Sequence, residues 1–186
     1  MSSPPNAAPA AHGWSTYLVI GITMAALGAM AVPQPDPPAA VQQLSPERIE
    51  LEQALARGLE TWRTALQQYR ERHATFPGFQ PGREGARLHG PLDASRILPQ
   101  LLMATDVWGN SGPLGHPGFP HRPCLSGGAP LNPVNGLATL HVLGPDEAFA
   151  PEADGSTGWV YKPSSGEIRV NAPGAVAVTG QPYWEL

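Results

Sequence analysis

One stretch constrains the rest of the chain more than any other. Between Ser45 and His73, in SPERIELEQALARGLETWRTALQQYRERH, the residues Leu51, Leu55, Leu59, Trp62, Leu66 and Tyr69 recur at steps of four or three. That spacing places six large apolar side chains on one stripe of an α-helix. Arg57, Glu60, Arg63, Gln67, Arg70 and Glu71 fall on the other faces, which predicts a helix with one dry side and one wet side. Ser45 is the expected N-cap, Pro46 suits the first helical position, and Glu47 and Glu50 suit the positive end of the dipole. Phe76-Pro77-Gly78 ends the run. Such a helix is ~40 Å long at ~1.5 Å per residue, and its stripe needs a partner that only the C-terminal half of the chain can supply.

Composition narrows what that partner can be. Glycine and proline number 21 and 23 in 186 residues, so much of the molecule must be loop. A formal net charge of −4 carries no basic footprint and argues against nucleic acid as a partner. The single cysteine, Cys124, excludes an internal disulfide framework and any CxxC site.

Ahead of the helix the chain changes character. Residues 1–12 are rich in Pro, Ala and Ser, carry no charged side chain and are expected to be disordered. Residues 13–32 are expected to form a transmembrane anchor. Trp14 to Val32 has no charged side chain, opens on the interfacial aromatics Trp14 and Tyr17, and approaches the ~20 residues a spanning helix needs. Ala29-Met30-Ala31 has the A-x-A form of a signal-peptidase site, but no Lys or Arg precedes the apolar run, so a retained anchor is the better reading. Residues 33–44 form a Pro-rich linker in which Pro33, Pro35, Pro37 and Pro38 break any continuous rod between anchor and helix. All Arg and Lys residues follow the apolar run, and the first is Arg48, too far away for charge to fix the orientation.

Residues 45–186 are expected to form a single head domain. After a polar loop, Asp93 to Thr105 reads as a short helical segment capped by Asp93 or Ser95, with Ile97, Leu98, Leu101 and Leu102 as its contacts. Val107 to Asn135 has no period and reads as a long irregular loop. The last fifty residues read as antiparallel β-structure. Strands are expected at Ala138–Leu143, Gly158–Lys162 and Glu167–Asn171, with a turn at Pro163–Gly166 and a short edge strand at Ala175–Thr179. Trp159 and Tyr161 would share one face of their strand, as would Ile168 and Val170. These faces are expected to cover the helix. The predicted fold is α+β: a long amphipathic helix packed on a small antiparallel sheet.

The order of elements resembles a known family. An apolar N-terminal segment precedes a long helix ending in Tyr69-Arg70 and Phe76-Pro77-Gly78. Then come Asn132-Pro133-Val134-Asn135-Gly136, Gly158-Trp159-Val160-Tyr161 and Gly166-Glu167-Ile168-Arg169-Val170-Asn171. This order is similar to that of type IV pilin-like proteins and the pseudopilins of type II secretion systems. The resemblance covers roughly Leu51 to Asn171. It implies a non-catalytic structural subunit anchored in a bacterial inner membrane, with its head on the periplasmic side. Its implied partners are other pilin-like or secretion-apparatus subunits, and the bilayer through residues 14–32. The N-terminus departs from the family: Gly13-Trp14 is followed by Leu18 where the family's Glu would stand, and no basic leader precedes it. An unprocessed anchor is expected.

Chemistry-bearing groups are few. His116, His121 and Cys124 match no standard zinc spacing. No GxSxG, HExxH, Walker or Rossmann motif occurs, and Ser126, Ser164 and Ser165 sit in turn-like surroundings, so no catalysis is expected. Asp146, Glu147, Glu152 and Asp154 crowd one loop that holds no Lys or Arg and offers oxygen ligands suited to Ca²⁺; major pseudopilins bind calcium in such a loop. The competing functional class is an anchored or secreted envelope binding module that recognises a ligand through the Gly/Pro-rich loop from Gly109 to Gly128.

Overall fold

A computed structural model describes residues 45–79 and 91–186. By contacts the chain divides into Met1–Val41 and Gln42–Leu186. The expected disordered terminus, anchor and linker, residues 1–44, lie outside the described residues. Among the described residues, no helix is long and apolar enough to cross a membrane.

The helix α1 spans Pro46–His73, with the Ser45 side chain accepting a hydrogen bond from the Arg48 backbone N–H at 3.2 Å. Its C-cap is Ala74, a non-glycine residue in the left-handed region at φ 57°, whose N–H reaches Arg70 O at 2.8 Å. Leu55, Leu59, Trp62, Leu66 and Tyr69 are all buried, while Leu51 is half-buried. A 3₁₀ turn, Ala94–Arg96, capped by Asp93, leads into α2, Ile97–Leu102. The expected second helix is therefore shorter than 93–105. Its last residues instead form β1, Ala104–Thr105, which pairs antiparallel with β2, Ser111–Gly112.

The main sheet is built from β3 (Leu140–Val142), β4 (Trp159–Lys162) and β5 (Glu167–Val170), in that order. The hairpin β4–β5 is antiparallel and pairs Trp159 with Val170 and Tyr161 with Ile168. Cross-strand partners share a face, so one face carries all four side chains, each 2% exposed or less. They join the α1 stripe in one core, where Trp62 meets Trp159 edge-on at 6.5 Å. The aromatic pair adds roughly 0.5–1.5 kcal/mol beyond the area it buries.

Two expectations are corrected. The sheet is mixed rather than antiparallel, because β3 runs parallel to β4 with Leu140 opposite Trp159 and Val142 opposite Tyr161. A parallel pair needs a crossover of a dozen or more residues, and residues 143–158 supply it, laying Phe149 and Ala153 over Leu143, Val160 and Trp184 on the outer face. In addition, Ala175–Thr179 is no strand. It belongs to a turn closed by a single bridge between Ala175 and Pro182. Glu52 of α1 holds this turn by accepting from Ala177 N at 2.9 Å and from the Tyr183 hydroxyl at 3.3 Å.

Candidate functional site

The Gly/Pro-rich half of the head builds a groove. The β1–β2 hairpin forms one wall through Met103, Ala104, Gly112 and Leu114, and the returning chain at Arg122–Ser126 forms the other. The groove has a volume of about 670 Å³ and is mostly apolar, and among the described residues that line it Arg122 is the one that is charged. Leu114 stands 63% exposed at its rim, and Val107 and Trp108 are exposed at the tip of the same hairpin. Asp106 shapes that tip: its carboxylate accepts from the Trp108 and Asn110 backbone N–H groups, each at 2.8 Å, and from the Asn110 amide at 2.8 Å. Buried Gln100 ties the tip to the end of α1, accepting from Gly78 N at 2.7 Å and donating to Gly109 O at 3.0 Å. These bonds give the loop's backbone polar groups partners without regular secondary structure.

The four acids of the crossover loop are not assembled as a cage. Glu147, Glu152 and Asp154 line a cavity of about 160 Å³ floored by Leu143, Val160 and Trp184, with His141 beside them, but Asp146 does not line it. Glu147 accepts from Gly144 N at 2.9 Å, closing its own turn. Asp154 accepts from Ser156 N at 2.9 Å, the Ser156 hydroxyl at 2.8 Å and the Asn171 amide at 2.7 Å. The Ser156 N–H and the Asn171 amide hold its carboxyl down at about 2. Among the described residues, no group of three or more His, Cys, Asp or Glu is placed to hold a metal ion, so the calcium expectation gains no support. His116, His121 and Cys124 are likewise kept apart by separate partners. His116 Nδ1 accepts from Gly118 N, the His121 ring meets His73 edge-on at 5.1 Å, and Cys124 Sγ lies 3.3 Å from an Arg72 guanidinium nitrogen. Burial pushes the Cys124 thiol up. The Ser164 hydroxyl donates to Pro145 O across the crossover loop, and the Ser165 hydroxyl donates to Lys162 O and accepts from Glu167 N within its own turn.

The motifs behind the family resemblance turn out to be a clamp of three asparagines. Asn132 is fully buried, and its amide donates to Gly158 O at 2.7 Å while its side-chain oxygen accepts from Val134 N at 3.0 Å. The Asn135 amide donates to Thr157 O at 2.8 Å and Asn171 O at 3.0 Å. Asn171 donates to Asp154 and Thr157 Oγ1 and accepts from Asp154 N at 3.1 Å. Together they lock the 132–137 turn, the end of the crossover loop and the end of β5. Gly158 lies at the centre of the clamp, where a Cβ would sit 2.0 Å from Leu137 O, so the backbones can approach only if this residue has no side chain. No signal in the sequence distinguished these asparagines from solvated turn residues.

Comparison of the chain with protein-family models, with curated proteins and with solved structures finds no match.

Proposed function

We propose that the chain is a non-catalytic, membrane-anchored structural subunit. In this reading residues 14–32 hold it in a bacterial inner membrane, and the head assembles on the periplasmic side with other pilin-like or secretion-apparatus subunits. One observation carries the reading. A helix of 28 residues is covered by the sheet along a single stripe, while Arg57, Glu60, Arg63, Thr64, Gln67, Arg70 and Glu71 line its exposed faces. A helix of this length displays far more surface than it buries, which suits a spine that neighbours stack against. The uncharged run before it supports the anchor. The test is fractionation of the native host with mass spectrometry of the mature chain. An intact N-terminus in the inner-membrane fraction is expected. A soluble chain beginning at Val32 would contradict the anchor, and a chain beginning at Trp14 would indicate conventional pilin processing.

A second reading rests on the groove. Its apolar walls, single cation and exposed Leu114 and Trp108 suit an anchored binding module that takes a ligand along the Gly109–Gly128 loop. Leu114→Asp, on the exposed rim, would then abolish capture of that ligand while leaving the fold and any assembly through α1 intact.

A further inference from the structure

At the C-terminal end of α1, three residues cross-link three segments. His73, the last residue of the helix, is 8% exposed, and its Nε2 lies 3.0 Å from the hydroxyl of Thr105 on β1, which is itself 2% exposed. Thr105 bonds in both directions to the incoming loop: its backbone N–H donates to His121 O at 2.9 Å, and its carbonyl accepts from His121 N at 3.1 Å. The His121 ring closes the triangle by meeting the His73 ring edge-on at 5.1 Å, and the Tyr69 ring lies tilted against His73 at 4.3 Å. Helix, hairpin and loop therefore meet on one hydroxyl and two imidazoles set edge to face. Arg72 adds a bond from the same helix end to the Arg122 carbonyl.

We propose that His73, Thr105 and His121 form an acid-released latch holding the β1–β2 hairpin and the following loop against the end of α1. The arrangement tolerates neutral rings and opposes charged ones. The groups facing His73 are Tyr69 and Arg72 on its own helix, Asp106 and the Val107 backbone beyond β1, and His121 on the loop. A Val107 backbone hydrogen bond and then the Asp106 charge favour the protonated ring, but burial and His121 outweigh them, and both Asp106 oxygens already accept hydrogen bonds within the hairpin tip. Two imidazolium rings at this separation would repel one another. Burial, then the neighbouring His121, lowers His73 from its ordinary 6.5 to about 4. A basic group lowered in the fold stabilises the folded state fully above its unfolded value. The latch is therefore whole above about pH 6.5 and weakens as pH falls from there toward 4. Groove-lining Ala104, Gly112 and Arg122 all belong to the latched segments, so acid reshapes the groove. The inference does not depend on what the groove takes.

Hydrogen exchange of the full chain in detergent micelles, read by mass spectrometry and corrected for intrinsic rates, tests this. Between pH 7 and pH 4.5, protection of the Thr105 and His121 amides should fall tenfold or more while the Tyr161 and Asn171 regions hold. His73→Gln and, separately, His121→Gln should each flatten that pH dependence. A flat wild-type profile, loss of both regions in step, or an unchanged profile in both variants would overturn the latch. Should the variants fail to fold, nuclear magnetic resonance titration of the His73 ring in the wild type decides: a midpoint below 5 supports the latch, and one at 5 or above overturns it.

Discussion

The two halves of the head are held together by different physics. In the helix–sheet half, order comes from apolar surface: Trp62, Tyr69, Trp159 and Tyr161 are fully buried, and the flanking leucines and valines close around them. In the Gly/Pro half, order comes from buried or half-buried amides and one half-buried carboxylate that reach backbone groups. Gln100, Asp106, Asn132, Asn135 and Asn171 do there what strands and helices do elsewhere. The difference teaches that a stretch with no hydrophobic period can still be ordered, provided a few polar side chains are dry and fully partnered. The weak points differ too. The first half fails by cavity formation and the second by loss of a single hydrogen-bonding group.

Truncating the centre of the apolar half should have the largest effect. Trp62→Ala empties the contact with Trp159, costs ~3–5 kcal/mol and should lower Tm by roughly 10 °C or more. A shift of a degree or two would refute the packing described. Next comes the clamp. Asn132→Ala leaves Val134 N without its partner and strips one of two donors from Gly158 O, which keeps Asn171 N at 3.0 Å, and should cost roughly 1–3 kcal/mol. If the halves are distinct, its loss of amide protection is confined to residues 130–158, whereas Trp62→Ala loosens everything. Equal and global loosening by both variants would break the comparison. The smallest effect is a gain. Ala74 caps α1 at φ 57°, a conformation that costs a Cβ-bearing residue but not glycine, so Ala74→Gly should stabilise the domain by about 0.5–1 kcal/mol in thermal or denaturant melts. This would sharpen the account of how α1 ends.

The apolar half was legible in the sequence because its signals are local and periodic. Ser45-Pro46 marks the start of α1, the four-and-three spacing marks its buried stripe, and the alternation in β4 and β5 marks one face of the sheet. The direction of β3 was not legible from its own residues, since Leu140-His141-Val142 alternates identically in a parallel or an antiparallel pair. The signal lay in the length of residues 143–158, which is enough for a crossover. The strands β1 and β2 are two residues each, too short to show an alternation, and the bridge from Thr105 to His121 that extends their pairing lies in a later segment. The asparagine clamp was visible as motifs but not as a device, because Asn in a turn-rich stretch carries no mark of burial. The four acids of the crossover loop looked like one cluster in sequence, but Asp154 turns toward Asn171 and Glu147 toward Gly144.

The central claim is that α1, and not the groove, is the surface through which the head meets its neighbours. Photo-crosslinking in the native host tests it most directly, with a crosslinker placed in turn at Thr64 on the exposed helix face and at Leu114 on the groove rim. The account predicts adducts to pilin-like or secretion-apparatus subunits from Thr64, persisting when the groove carries Leu114→Asp. Adducts from Leu114 alone, with Thr64 silent, would contradict it and leave a binding module in place of a structural subunit.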